Sequence, residues 1–198
     1  MCIICVSPKG IRQPDDATVR TMFVRNPHGA GYMYARDGRV IIHKGFMNMT
    51  EYLDAVHSED FTAQDSVVYH FRISTQAGVG PAMTHPFPLS NQRRMMRKLD
   101  LSCRIGIAHN GIIRLTSDPN DREYSDTAIF ITDYLSAMIR GPRDLRNRKL
   151  LDYIELLAGS KFALMDGSGY VATIGKYVNM NGLLFSNTSF LGQADYKK

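Results

Sequence analysis

Apolar residues recur along this chain with two spacings, near every second position in some segments and near 3.6 in others, and the alternation predicts a mixture of strands and helices. Residues 2–7, Cys-Ile-Ile-Cys-Val-Ser, make a short buried strand. Val19, Met22 and Phe23 then fall at helical spacing behind Asp15 and Asp16, either of which suits a helix N-cap. Residues 31–35 and 39–43 predict a hairpin, because Asp37-Gly38 between them suits a tight turn that needs positive φ. Residues 50–58 predict a short helix, and 66–74, rich in Val, Tyr, Phe and Ile, a central strand.

Pro81, Pro86 and Pro88 oppose regular ladder pairing, so 76–91 reads as a shaped loop over the sheet, of a length that often carries function. A basic segment follows, then a strand at 104–108 and a turn at His109-Asn110-Gly111 leading into Ile112-Ile113. Ser125 is a plausible N-cap for a helix running to about residue 139, and a second helix at 145–157 is closed by Gly159. Residues 162–165 and 170–174 flank Asp166-Gly-Ser-Gly169 as a further hairpin, and 183–185 add one more strand before a polar tail at 193–198. Strands, a helix pair and further strands predict a layered α+β architecture.

Length and composition narrow this picture. A chain of 198 residues, 44% hydrophobic and 22% charged, suits one globular domain over 1–198 rather than a disordered or fibrous polymer. The sequence has no apolar run of membrane-spanning length, and its start lacks the pattern of a secretory signal, so a cytoplasmic location is expected. Cys2, Cys5 and Cys103 match no disulfide framework and are expected to be free thiols. The net charge of +5 is gathered into Arg93, Arg94, Arg97, Lys98 and Arg104 and into Arg140, Arg143, Arg146, Arg148 and Lys149. Neither cluster is interleaved with aromatics, which favours two solvated basic surfaces over a nucleic-acid groove.

Candidate chemistry begins at the N-terminus. Methionine is commonly trimmed ahead of a small residue, and its loss would leave Cys2 carrying both a thiol and a free α-amine. With an ordinary pKa of about 7.7–8.0, that amine could take the thiol proton near neutral pH. Position alone favours a buried small residue at the start of an edge strand. Cys5 forms a Cys-x-x-Cys with Cys2, but residues three apart on a strand face opposite ways, so neither a redox pair nor a zinc site is supported.

Further along stand His-Phe-Arg-Ile-Ser-Thr-Gln-Ala-Gly at 70–78, Thr-His-Pro-Phe at 84–87, His-Asn-Gly at 109–111 and Ser-Asp-Thr at 125–127. With an N-terminal Cys, and in this order, these blocks resemble class II glutamine amidotransferases, the N-terminal-nucleophile family that includes the glutaminase domains of glucosamine-6-phosphate synthase, amidophosphoribosyltransferase and glutamate synthase. Asn-Pro-His-Gly-Ala-Gly at 26–31 resembles the family's early glycine block, and Ser-Asn-Thr-Ser at 186–189 an element of its small stand-alone, phage-type members. The resemblance covers nearly the whole chain.

It implies a four-layer αββα sandwich in which Cys2 is the nucleophile and its amine the general base. Asn110 and Gly111 would form the oxyanion hole, a task that suits a side-chain amide and a backbone N–H converging on one oxygen. Arg72 would grip the α-carboxylate of L-glutamine with a forked, permanently charged guanidinium, Asp126 would receive the α-ammonium, and Thr75 would touch the substrate. Taken singly, Asn110-Gly111 could be a turn, Arg72 an ion-pair residue and Asp126 a helix N-terminal carboxylate. His70, His85 and His109 are expected to be hydrogen-bonded structural residues rather than bases. The chain departs from the family pattern at Ile73, where many members have Trp, at Gln76 for His and at His28 for an acidic residue; these bear on glutamine affinity, loop closure and coupling to an acceptor.

The implied reaction is hydrolysis of the glutamine side-chain amide through a γ-glutamyl thioester, with no metal or organic cofactor. No synthase domain is expected after residue 198, so the ammonia would pass to a separate acceptor synthase or be released. The rival readings are hydrolysis of another small amide, or a binding module on the same fold that engages a protein or nucleic acid.

Overall fold

The computed structural model describes residues 1–73, 80–116 and 123–191. Among them the chain is mixed α+β, built on two antiparallel sheets. The strand β1 (Ile3–Ser7) is buried at all five positions and lies between β4 (Val67–Phe71) and β11 (Leu183–Phe185). Beyond β4 come β2 (Ala30–Arg36), β3 (Arg39–Phe46) and the edge strand β6 (Asp100–Cys103), and β10 (Val178–Met180) forms the other edge, outside β11. A second sheet runs in the order β5 (Phe87–Pro88), β7 (Ile105–Asn110), β8 (Lys161–Asp166), β9 (Val171–Ile174).

Strand alternation sorts the side chains into three apolar clusters. Ile3 and Cys5 of β1 pack with Val67, Tyr69 and Phe71 of β4 against Met22 and Phe23 of α1 (Asp16–Arg25) and Tyr52 and Leu53 of α2 (Met49–Ser58). Ile4, Val6, Met33, Ile42 and Val68 turn the other way and meet Ala108, Ala163 and Met165 of the second sheet. Ile105, Ile107, Phe162 and Leu164 turn outward from that sheet against the helical segment α3 (Asp126–Phe130) to α4 (Ser136–Met138), joined by a π-helical turn at Ile131–Leu135, and against α5 (Arg148–Ala158). Each large side chain so buried stabilises the fold by roughly 1.5–3 kcal/mol before entropy is counted.

Local signals act as the sequence predicts at several boundaries. Asp15 is the cap of α1, accepting the Thr18 N–H at 2.8 Å. Asp37 and Gly38 both take positive φ, 51° and 72°, in the β2–β3 turn. Asn147 caps α5, and Gly159 closes it at φ 61°. All three cysteines are free, with Cys5 and Cys103 buried. No helix among the described residues is long and apolar enough to cross a membrane.

Other expectations are corrected. His109-Asn110 is the end of β7 rather than a turn, because β8 continues alongside and pairs Asn110 with Lys161. β4 stops at Phe71, short of the predicted residue 74, and the helix predicted from Ser125 is interrupted by the π-helical turn. The proline-rich stretch contributes a two-residue edge strand: Pro88 lies opposite Gly106 while Leu89 N–H donates to Ile105 O at 2.8 Å, so the ladder loses nothing where proline has no N–H to give. The edge strands β6 and β10 carried too little apolar pattern to be seen.

Gly31 fixes how closely the backbone at His85 crosses the large sheet. A Cβ there would lie 2.3 Å from the His85 carbonyl oxygen and 2.7 Å from Lys44 Cβ. Gly31→Ala should therefore cost about 1–3 kcal/mol or more, as overpacking against backbone does. Gly80→Ala, in extended backbone where an added Cβ would meet no described residue within 4 Å, should stay within about 0.5 kcal/mol. Equal urea midpoints for the two variants would contradict this account of the crossing.

Candidate functional site

The strand register brings the predicted residues to one end of the layer between the sheets. β1 and β4 pair Ile3 with Phe71 and Ile4 with His70, and continuing that register sets Cys2 opposite Arg72. Cys2 shares the parity of Ile4 and Val6, Arg72 that of Val68 and His70, and Asn110 that of Ala108, so all three fall on the side that faces the other sheet. The opposite parity of Cys5 puts it in the helix-side core. The Cys-x-x-Cys is thus split between two faces.

Cys2 is partly buried, and its Sγ donates to Ile73 O at 3.6 Å. Burial pushes its thiol above the ordinary value, while the Ile73 hydrogen bond and the charges of Arg72 and the terminal amine pull the other way. The Cys2 carbonyl accepts from Asn187 Nδ2 at 2.7 Å, which ties the first residues of the chain to the segment after β11.

Asn110 is buried at the end of β7. Its Nδ2 meets Ser186 Oγ at 2.8 Å, and that same Oγ accepts the Ile4 N–H at 2.9 Å. Ser186 N–H returns to Ile4 O at 2.9 Å, and Lys161 Nζ donates to Ser186 O. Asn110 Oδ1 is buried without a hydrogen-bond partner among the described residues. Gly111, at φ 146°, follows directly, and a Cβ there would strike Ser160 Cβ at 2.5 Å, so no other residue fits without displacing the neighbouring strand entry.

Arg72 is buried, its backbone N–H donating to Gly29 O at 2.8 Å and its carbonyl accepting from His28 N–H at 3.0 Å. Burial draws the guanidinium below its ordinary value, and Cys2 and Asp126 oppose that shift, so all three share one electrostatic environment. Asp126 stands at the first turn of α3, with Oδ2 accepting Ile113 N–H at 2.7 Å and Oδ1 accepting Thr127 N–H at 2.7 Å. It therefore braces the turn after Gly111 as well as standing near Arg72. Thr75 and Gln76 lie outside the described residues.

The histidines form a neutral network that touches Asp126 through the Thr127 hydroxyl. His109 has the opposite parity to Asn110 and faces α3, where Nδ1 meets Thr127 Oγ1 at 2.7 Å and Nε2 meets Ser160 Oγ at 2.8 Å. His70 Nε2 lies 3.0 Å from His109 O and 2.9 Å from His85 Nδ1, an arrangement satisfied when Nε2–H of His70 donates. Burial lowers all three, His70 to about 3 and His109 to about 4. Lys44 is likewise buried, donating to Ala82 O at 2.9 Å and Met96 O at 2.7 Å beside the Phe87 ring.

Ser186 and Asn187 are the residues whose part the sequence pattern did not reveal. The 186–189 block is visible, but nothing local states that β11 lies beside β1. No family model matches the chain, and no curated protein matches its sequence.

The histidines make stability pH-dependent. Their folded pKa values lie below the unfolded value of about 6.5, so the unfolded chain binds more protons between the two. Stability is full above that value and falls as pH drops toward 4, by about 1.4 kcal/mol per unit for each histidine kept neutral. Urea denaturation between pH 7 and 5 should show this slope, and His109→Gln should remove about one histidine's share. An unchanged slope in the variant would contradict the neutral assignment.

Proposed function

We propose that this chain is a class II glutamine amidotransferase domain, a cysteine N-terminal-nucleophile hydrolase that converts L-glutamine to glutamate and ammonia. The observation that carries this reading is the convergence of Cys2, Arg72 and Asn110, from three strands of two sheets, at one end of the inter-sheet layer. The helix-flanked pair of sheets supports the four-layer αββα sandwich of that family.

With Met1 removed, the Cys2 amine takes the thiol proton, and the thiolate attacks the side-chain carboxamide carbon. The oxygen that becomes negative is received by Asn110 Nδ2–H and Gly111 N–H. Collapse of the tetrahedral intermediate breaks the C–N bond, the amine's proton leaves with ammonia, and a γ-glutamyl thioester remains for water to hydrolyse. Arg72 pairs with the α-carboxylate and Asp126 with the α-ammonium, a combination that selects a free amino acid over a peptide-bound one. Met1 is 74% exposed, which suits its removal.

A binding module is the second reading, and one observation favours it. At the end of β7 away from Asn110, Arg104, Arg143 and Arg146 line a cavity of about 360 Å³. Several basic residues are already paired, however: Arg146 with Asp166 at 2.7 Å, Arg93 with Asp133 at 3.1 Å and Arg148 with Asp152 at 2.7 Å. Those pairs favour solvated surfaces.

The Met-free protein should release glutamate from glutamine, and Cys2→Ala should abolish turnover. A retained Met1 should do the same with the fold intact, since it turns the amine into a non-basic peptide nitrogen. Asn110→Ala should lower kcat by about 10²–10³, as loss of an oxyanion donor does elsewhere, and Arg72→Ala should chiefly raise KM. Full turnover by protein that mass spectrometry shows to retain Met1 would refute the mechanism. No turnover by the Met-free protein, together with tight binding of a macromolecule, would favour the module.

A further inference from the structure

Ser186 Oγ touches both sheets at the site. It accepts the Ile4 N–H from the large sheet at 2.9 Å and lies 2.8 Å from the Asn110 amide at the end of the small one. Ser186 itself is fully buried. A serine hydroxyl has one proton to donate and two lone pairs. With Nδ2 of Asn110 turned toward it, Oγ accepts twice, and no group among the described residues takes its proton. In the same orientation Asn110 Oδ1 is buried without a donor among the described residues. Two polar groups are then unmet side by side, each at a cost of about 1–3 kcal/mol.

A half-turn of the Asn110 amide about its Cβ–Cγ bond exchanges two ends of nearly equal size and leaves the packing unchanged. Ser186 Oγ–H then donates to Oδ1 while Oγ still accepts from Ile4, so both hydroxyl functions are met. The NH2 group moves to the place where Oδ1 had no partner. What remains unmet is a buried donor, and a negatively charged oxygen is what would satisfy it.

We propose that Ser186 is a positioning residue for the oxyanion site: its hydroxyl holds Oδ1 of Asn110 so that Nδ2–H is aimed at the oxygen of the tetrahedral intermediate. The proposal rests on the glutaminase reading above. Asn187 and Lys161 fix the same short segment, through Cys2 O and Ser186 O, so the hydroxyl keeps a set relation to the nucleophile's own residue. In the opposite orientation Asn110 would present a carbonyl oxygen to the developing negative charge, and the rate would fall without loss of substrate affinity.

The experiment is a double-mutant cycle on Met-free protein, with glutamate release measured for wild type, Ser186→Ala, Asn110→Ala and the double variant. Thermal melting is followed alongside to confirm that each is folded at the assay temperature. Ser186→Ala should lower kcat about tenfold or more, within the 10²–10³ that a whole donor supplies, and leave KM nearly unchanged. In the Asn110→Ala background the same change should cost little further, because the two act as a unit. Ser186→Thr, which keeps the hydroxyl, should recover most of the rate. Losses that multiply in the double variant, or an unchanged kcat in folded Ser186→Ala, would overturn the positioning role while leaving the glutaminase reading in place. Wild-type protein without turnover would overturn both. Should Ser186→Ala fail to fold, Ser186→Cys in the same cycle keeps the test: a weaker donor should give an intermediate kcat, and a wild-type kcat would overturn the proposal.

Discussion

Two sheets share a single apolar layer, and the rest of the molecule is arranged around keeping that layer dry. Ile4, Val6, Met33 and Val68 from one side meet Ala108, Ala163 and Met165 from the other. Small residues on the second sheet allow close approach; at Gly106 even a Cβ would lie 2.5 Å from the Met33 sulfur. Because side chains alternate along a strand, choosing which residues fill this layer also chooses which residues emerge at its end. The polar groups at 2, 72 and 110 continue apolar rows that begin inside it. A one-residue slip of β1 would turn Cys2 toward the helices and Cys5 toward the second sheet.

The same packing makes the site's surroundings costly to charge. His70, His85 and His109 stay neutral because they are buried, and their hydrogen bonds run to a backbone carbonyl, to each other and to the hydroxyls of Thr127 and Ser160. Against that neutral background Arg72 is a buried permanent cation set among Cys2 and Asp126. A thiol in such a place is raised by desolvation and lowered by the cation, and burial is the larger effect. In the mechanism proposed above, a base attached to the cysteine itself suits this balance, since it needs no second side chain brought into a crowded interior.

Asp126 has a structural task of its own beside Arg72. Its carboxylate accepts two backbone N–H groups, one from Ile113 and one from Thr127, and so joins the start of α3 to the turn that follows Gly111. The bracing also holds the turn that follows Gly111.

Much of the local structure was legible in the residues themselves, for reasons that are local. Asp15 needs only the next three residues to cap α1, Asp37-Gly38 makes its turn from its own dihedral freedom, and the parity that separates Cys2 from Cys5 follows from the strand alone. The sequence also determined which residues are candidates, since Cys2, Arg72, Asn110 and Asp126 stand in recognisable blocks. Their assembly was decided by the tertiary structure. That β11 lies against β1, that Asn110 is the end of a paired strand rather than a turn, and that Ser186 Oγ bridges Ile4 to Asn110 depend on partners 51 to 182 residues away in sequence. Hydrogen bonds of that kind leave no periodicity in the chain. Edge strands such as β6 and β10 were hidden for the related reason that only one side of each is paired, so the residues that compose them need not alternate strongly.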